Sequence, residues 1–116
     1  MKSISTHILD VSRGKPAEGV KVTLDYLEAD FKRISEGITN SDGRVKDWLS
    51  AGQRPGVSMK TGTWRIRFEI ASYYEKLKEK CFYPYVEIVF SVEDTDQHYH
   101  VPLLLSAYGY STYRGS

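Results

Sequence analysis

The chain has 116 residues, 41% of them hydrophobic and 27% charged, which is enough for one globular core and too little for two. Its 16 basic and 15 acidic side chains leave a formal net charge of +1, so it has no general electrostatic attraction to nucleic acid or to an anionic membrane. A single cysteine, Cys81, excludes an internal disulfide framework, and no apolar run reaches signal-peptide or transmembrane length, so the expected location is the cytoplasm.

In chain order, most segments read as short strands of one domain over residues 1–116. "SISTHILD" (3–10) alternates, with Ile4, Thr6 and Ile8 on one face and Ser5, His7 and Leu9 on the other. "RGKPAEG" (13–19) is a Gly- and Pro-containing turn, beside which Asp10, Arg13 and, further on, Asp42 read as turn and surface residues. "VKVTLDYLE" (20–28) alternates through Val20, Val22, Leu24 and Tyr26, and "RISEGITNSDGRV" (33–45) carries Asn-Ser-Asp-Gly, a tight-turn signal. "AGQRPGVSMKTG" (51–62) reads as a loop with room for a short edge strand. "TWRIRFEIA" (63–71) places Trp64, Ile66, Phe68 and Ile70 on one face and Arg65, Arg67 and Glu69 on the other. "SYYEKLKEK" (72–80) breaks the alternation and predicts one short helix, with Ser72 as N-cap and Glu75 near its first turn. "YVEIVFSVED" (85–94), "HYHVPLLLS" (98–106) and "YGYSTYRG" (108–115) complete seven or eight strands, which predicts a two-sheet β-sandwich.

The segment at 98–106 is the most informative for function. Tyr99, Val101, Leu103 and Leu105 form a uniformly apolar face for the core, while His98, His100, Pro102, Leu104 and Ser106 share the other face. That second face is too apolar around Leu104 for plain surface and carries two imidazoles, as expected of a cleft or interface. His7 also falls on an outer face, and Ser111 and Tyr113 share one side of the last strand. If the first and last two strands are neighbours, His7, His100 and these hydroxyls converge.

Three readings of the histidines compete: scattered surface groups, a three-histidine zinc site, or metal-free acid–base catalysis. His-x-His presents two ligands on one side of a strand, but no acidic or Cys ligand clusters beside it. Arg44 follows the Ser-Asp-Gly turn; it is either a solvated arginine or a fork for a planar, oxygen-rich anion. A serine nucleophile is disfavoured, because no Ser-His-Asp spacing or nucleophile elbow is present.

Taken together, "STHILDVSRGKPAEGVKVTL", "TNSDGRV", "CFYPYVEIVFSVED" and "HYHVPLLLSAYGYSTYRGS" resemble the transthyretin-like 5-hydroxyisourate hydrolases, in order and over nearly the whole chain. The final "YRGS" separates those hydrolases from the hormone-carrying transthyretins. The resemblance implies an all-β, transthyretin-like β-sandwich of two four-stranded sheets with one short helix. It also implies a homotetramer, a dimer of dimers, with active sites at the dimer–dimer interface on the outer face of one sheet. The implied reaction opens the lactam ring of 5-hydroxyisourate to a ureidoimidazoline, with no cofactor and no metal. The matching motifs supply His7, Arg44 and His100 as catalytic residues, with Tyr113, Arg114, Ser116 and Ser111 as substrate contacts. His98 falls beside the essential histidine and counts as flanking. Ala107 stands where the family usually has proline, which loosens the turn into the last strand. A carrier using the same channel without chemistry, and a zinc hydrolase, are the alternatives.

Overall fold

The computed structural model describes residues 3–45, 49–50 and 59–115. The first strand, β1 (Ser3–Asp10), buries Ile4, Thr6 and Ile8, as its alternation predicts, and Asp10 with them. A turn at 11–14, with Gly14 at φ +65°, leads into β2 (Lys15–Pro16). Strands β3 (Lys21–Leu27) and β4 (Phe31–Ile38) pair antiparallel, with an irregularity between Leu24 and Asp25. After β5 (Leu49–Ser50) come β6 (Gly62–Phe68), helix α1 (Ile70–Lys76), β7 (Val86–Val92), β8 (His98–Ser106) and β9 (Gly109–Thr112). The loop expected over 51–62 lies for the most part, residues 51–58, outside the described residues.

These strands form two sheets. One runs β4-β3-β6-β7, all antiparallel. In the other, β1 lies between β8 and a position shared by β2 and β5, and β9 closes the far side of β8. The sandwich is therefore two sheets of four positions each, as expected. The inner faces meet in one core that includes Ile4, Ile8, Leu24, Trp64, Ile66, Phe68, Leu103 and Leu105, each at most 1% exposed. Burying such side chains stabilises the fold by about 1.5–3 kcal/mol apiece, which is what locks the strand register.

Two local expectations need correction, the helix start and the place of Asp10. The helix begins at Ile70 rather than after Ser72; Glu69 is its N-cap and makes no side-chain capping bond, and no acidic residue lies in the first turn. Burial explains this start: Ile70, Tyr73 and Tyr74 are drawn into the core, and their packing outweighs the absent cap. Ile70 accordingly belongs to the helix and not to the strand of Trp64. Asp10 is not a surface residue: it is fully buried, accepts a 2.6 Å hydrogen bond from the Tyr73 hydroxyl and is bridged by Arg13 at 3.0 Å. Burial pushes its carboxyl upward, but the bonds from Tyr73 and Arg13 outweigh that and hold it below the usual carboxylate range. The Asn-Ser-Asp-Gly turn is tight, with Gly43 at φ +73°, yet it closes no hairpin. It carries the chain from β4 in one sheet to the edge of β1 in the other, where Ile8 N–H donates to the Gly43 carbonyl at 2.8 Å. A Cβ on Gly43 would stand 2.4 Å from the Ile8 carbonyl oxygen, so the close approach needs glycine as much as the φ does.

Candidate active site

Strand β1 pairs with β8 in parallel, placing Ser3 opposite His98, Ser5 opposite His100 and His7 opposite Pro102. Since side chains alternate, all six of these residues point to the outer face of the sheet. His7 and His100 are thus diagonal neighbours on one surface, and the strand adjacency assumed from sequence holds. All three imidazoles are half-buried and outside the core.

Two further segments complete the arrangement. The 40–44 turn brings Arg44 into an antiparallel bridge with His7, and the Asn40 side chain, which accepts from the Arg44 N–H at 3.1 Å, fixes the turn. Past β9, residues 113–115 continue the same register along β8, so that Gly115 bridges His100 and its N–H donates to the His100 carbonyl at 2.8 Å. The alternation then decides where each side chain goes. Tyr113 and Gly115 fall on the histidine side. Arg114 falls on the opposite side, where its guanidinium lies 4.5 Å from the Tyr99 ring centre and donates to Gln97 at 2.7 Å.

The result is an open cleft of about 360 Å³ lined by Ser5, Arg44, His98, His100, Tyr113 and Gly115. Of the residues expected from sequence, His100, Arg44 and Tyr113 line it and His7 stands next to Arg44. Ser111 is exposed on the same face but opposite Leu104, further along the strand from His100. Arg114 lies away from the cleft, and Ser116 lies outside the described residues.

The electrostatics favour neutral rings. His100 is pushed below the ordinary 6.5, first by burial, then by the Arg44 cation and by the neighbouring His98 and His7. His7 is lowered by burial and then by Arg44, against an opposing pull from Asp42. Neutral imidazoles at neutral pH can accept a proton, and a guanidinium with no ion-pair partner among the described carboxylates can hold an anion. Among the described residues, no three His, Cys, Asp or Glu side chains gather in a group able to hold a metal ion. No helix among them is long and apolar enough to cross a membrane.

Sequence reasoning missed Ser5. Its Oγ lies 2.8 Å from His100 Nδ1 and 3.0 Å from His98 Nε2, while Ser3 Oγ contacts His98 Nδ1. The period-two alternation already put Ser5 on the face of His7, but only the parallel register shows which histidines it meets. His98, counted as flanking, is a wall of the cleft, its ring stacked near His100 with 6.2 Å between centres.

Comparison with known proteins gives a consistent set of likenesses. The HIUase/Transthyretin family pattern matches residues 4–115. The 5-hydroxyisourate hydrolase 2 of Rhizobium meliloti is 44% identical over 118 residues, covering 97% of this chain and 95% of its own. Among solved structures, Klebsiella pneumoniae 5-hydroxyisourate hydrolase superposes with a TM-score of 0.81 at 33% identity, covering 97% of this chain and 98% of its own. Sea bream transthyretin, solved in complex with thyroxine, superposes with a TM-score of 0.85 at 26% identity, covering 97% and 93%.

Proposed function

The chain belongs to the HIUase/Transthyretin family, and we propose that it hydrolyses 5-hydroxyisourate, opening the lactam ring to 2-oxo-4-hydroxy-4-carboxy-5-ureidoimidazoline by metal-free acid–base catalysis. The observation that carries this reading is the placing of a proton-accepting imidazole, His100, and the Arg44 guanidinium on one cleft, with a second such imidazole, His7, bridged to Arg44 beside it. A planar, oxygen-rich ring with acidic N–H groups suits that set. Arg44 orients it through paired hydrogen bonds, and Tyr113 contacts its edge. His100 takes a proton from the attacking water and returns it to the departing ring nitrogen, toward which the neutral His7 donates a hydrogen bond. Charge developing on the carbonyl oxygen is held by Arg44 and by donors of the 113–116 segment, an effect often worth about 3–4 kcal/mol per donor. Arg114, gripped by Tyr99 and Gln97, positions that segment instead of touching the ring.

The working form is a homotetramer, a dimer of dimers, in the cytoplasm, with the histidine-bearing face turned into the dimer–dimer interface. The half-buried Leu9 and Leu104 on that face, apolar groups with no covering in one chain, support this assembly. A thyroxine-type carrier is the second reading, favoured by the likeness to sea bream transthyretin. The paired imidazoles count against it, since a carrier channel has no use for proton-accepting groups.

The test follows the ultraviolet absorbance of freshly made 5-hydroxyisourate with purified protein, with and without chelator. Accelerated decay that survives chelator is expected. Decay no faster than the spontaneous rate would overturn the hydrolase, and activity lost in chelator would overturn the metal-free mechanism.

A further inference from the structure

The outer face of β1 and β8 carries a feature that two catalytic histidines and an arginine do not require. Ser3, His98, Ser5 and His100 form an unbroken row of hydrogen-bonded groups: Ser3 Oγ on His98 Nδ1, His98 Nε2 on Ser5 Oγ at 3.0 Å, and Ser5 Oγ on His100 Nδ1 at 2.8 Å. His98 has both ring nitrogens bonded in this row, and His100 Nε2, with no partner among the described residues, is left to serve the cleft. A neutral imidazole has one donor and one acceptor, and a hydroxyl has one donor beside its lone pairs. The row therefore has two self-consistent polarities. In one, His100 Nδ1–H donates to Ser5, whose hydroxyl donates to His98 Nε2, and Nε2 of His100 is a bare base. In the other every proton is shifted along, and Nε2 of His100 carries the hydrogen.

We propose that Ser5 connects His98 to His100 as a proton relay, with His98 as the group that stores the proton taken from the attacking water. This rests on the hydrolase reading above. The step balances as follows. As the water oxygen bonds to the ring carbonyl carbon, its proton goes to His100 Nε2. The His100 Nδ1 proton passes to Ser5 Oγ, and the Ser5 hydroxyl proton passes to His98 Nε2. His100 ends neutral and His98, already protonated at Nδ1 toward Ser3, ends as the imidazolium. Reversal of the row then returns the stored proton through His100 Nε2 to the leaving nitrogen as the carbon–nitrogen bond breaks, and the neutral His7 donates a hydrogen bond to that nitrogen. A charge on His100 is disfavoured first by burial and then by Arg44, His98 and His7. The other titratable groups facing the row are Tyr113 on the cleft wall and, beyond His7, Asp42.

Ser5 and His98 are positioning residues in this scheme, and a merely structural role would move different readouts. The first experiment needs no substrate: nitrogen-15 NMR of the histidine rings across pH. In the native protein His98 and His100 are expected to show matched tautomers, because the Ser5 hydroxyl lies between His98 Nε2 and His100 Nδ1. Ser5→Ala should uncouple them and Ser5→Thr, which keeps the hydroxyl, should restore the coupling. Identical ring tautomers in native protein and Ser5→Ala would overturn the relay, whatever the enzyme's substrate. The second experiment is kinetic. His98→Gln keeps a donor and an acceptor but holds no proton, so kcat should fall about tenfold with KM unchanged, a modest share of what acid–base catalysis supplies. The solvent deuterium dependence of kcat should change from curved, several protons in motion, to linear. A His98→Gln enzyme with native kcat and native deuterium dependence would overturn the relay. Native protein without turnover would overturn the hydrolase reading instead, and the NMR result would still decide the coupling.

Discussion

Gly115 offers the sharpest test of the cleft, because its requirement is one of space. Its backbone φ is not among the positive values found at Gly14, Gly19, Gly43 and Gly62, so alanine faces no conformational penalty there. A Cβ at this position would, however, stand 2.5 Å from His100 Cδ2 and 3.2 Å from Cγ. Contact becomes ordinary only at 3.4 Å, so ring and segment must part by about 0.9 Å. If the ring turns, it leaves the 2.8 Å contact with Ser5; if the segment lifts, the 2.8 Å bond from Gly115 N–H to the His100 carbonyl goes. Either response misplaces the His100 ring or the wall of the cleft by close to an ångström, an error able to lower rate by about a hundredfold. Gly115 lies outside the core, so folding free energy should change only by the one hydrogen bond lost, about 0.5–1.5 kcal/mol. The assay pairs kcat on 5-hydroxyisourate with thermal melting of the same Gly115→Ala preparation. Native kcat in that variant would refute the packing of this segment against His100 and with it the pocket.

Other outcomes follow from the same geometry. Because burial and Arg44 both lower His100 and His7, the acid limb of kcat/KM should lie below pH 6.5; Arg44→Gln should move it upward, while Arg44→Lys should leave it in place yet lose rate because the bidentate fork is gone. The same two rings make the unfolded chain the better proton binder just under pH 6.5, so stability measured by denaturant should decline as pH drops through that region. Tyr73→Phe removes one hydrogen bond to the buried Asp10 carboxylate and should cost about 1.5–3 kcal/mol at neutral pH without altering KM. Since Asp10 is lowered from 3.8, that loss should shrink as pH falls below 3.8 and through the folded value, which pH-dependent melts of the two proteins would detect.

Much of the sandwich is legible in its alternation. Trp64, Ile66 and Phe68 on one side with Arg65 and Arg67 on the other could only be a half-buried strand, and so it is with His98 to Ser106. The helix start was misread because Ser72 has capping chemistry, whereas the actual start is fixed by where Ile70 finds the core, a tertiary matter. Asp10 reads as a turn and surface residue for the same reason: the partner that holds it in the core, Tyr73, lies 63 positions away. At the cleft, alternation placed His7 and His100 on outer faces, and the family motif added Arg44 and Tyr113. What neither could reveal was register. Whether Ser5 meets one histidine, two or none depends on how β1 slides along β8, and a shift by one residue would send Ser5 to the other face.

The pairing of β1 with β8 also bears on how the molecule comes together. The groups joined across it, such as Ser5 and His100, are 95 residues apart, whereas β3 with β4 and β6 with β7 join nearer segments. Closing so long a loop before its contacts can reward it slows assembly. The sheet bearing Trp64 is able to form from sequence neighbours, but the cleft must wait for two distant strands to meet. The same pairing builds the inner face that covers Trp64, Ile66 and Phe68, so a chain that has not yet joined β1 to β8 lacks the cleft and the second wall of its core alike.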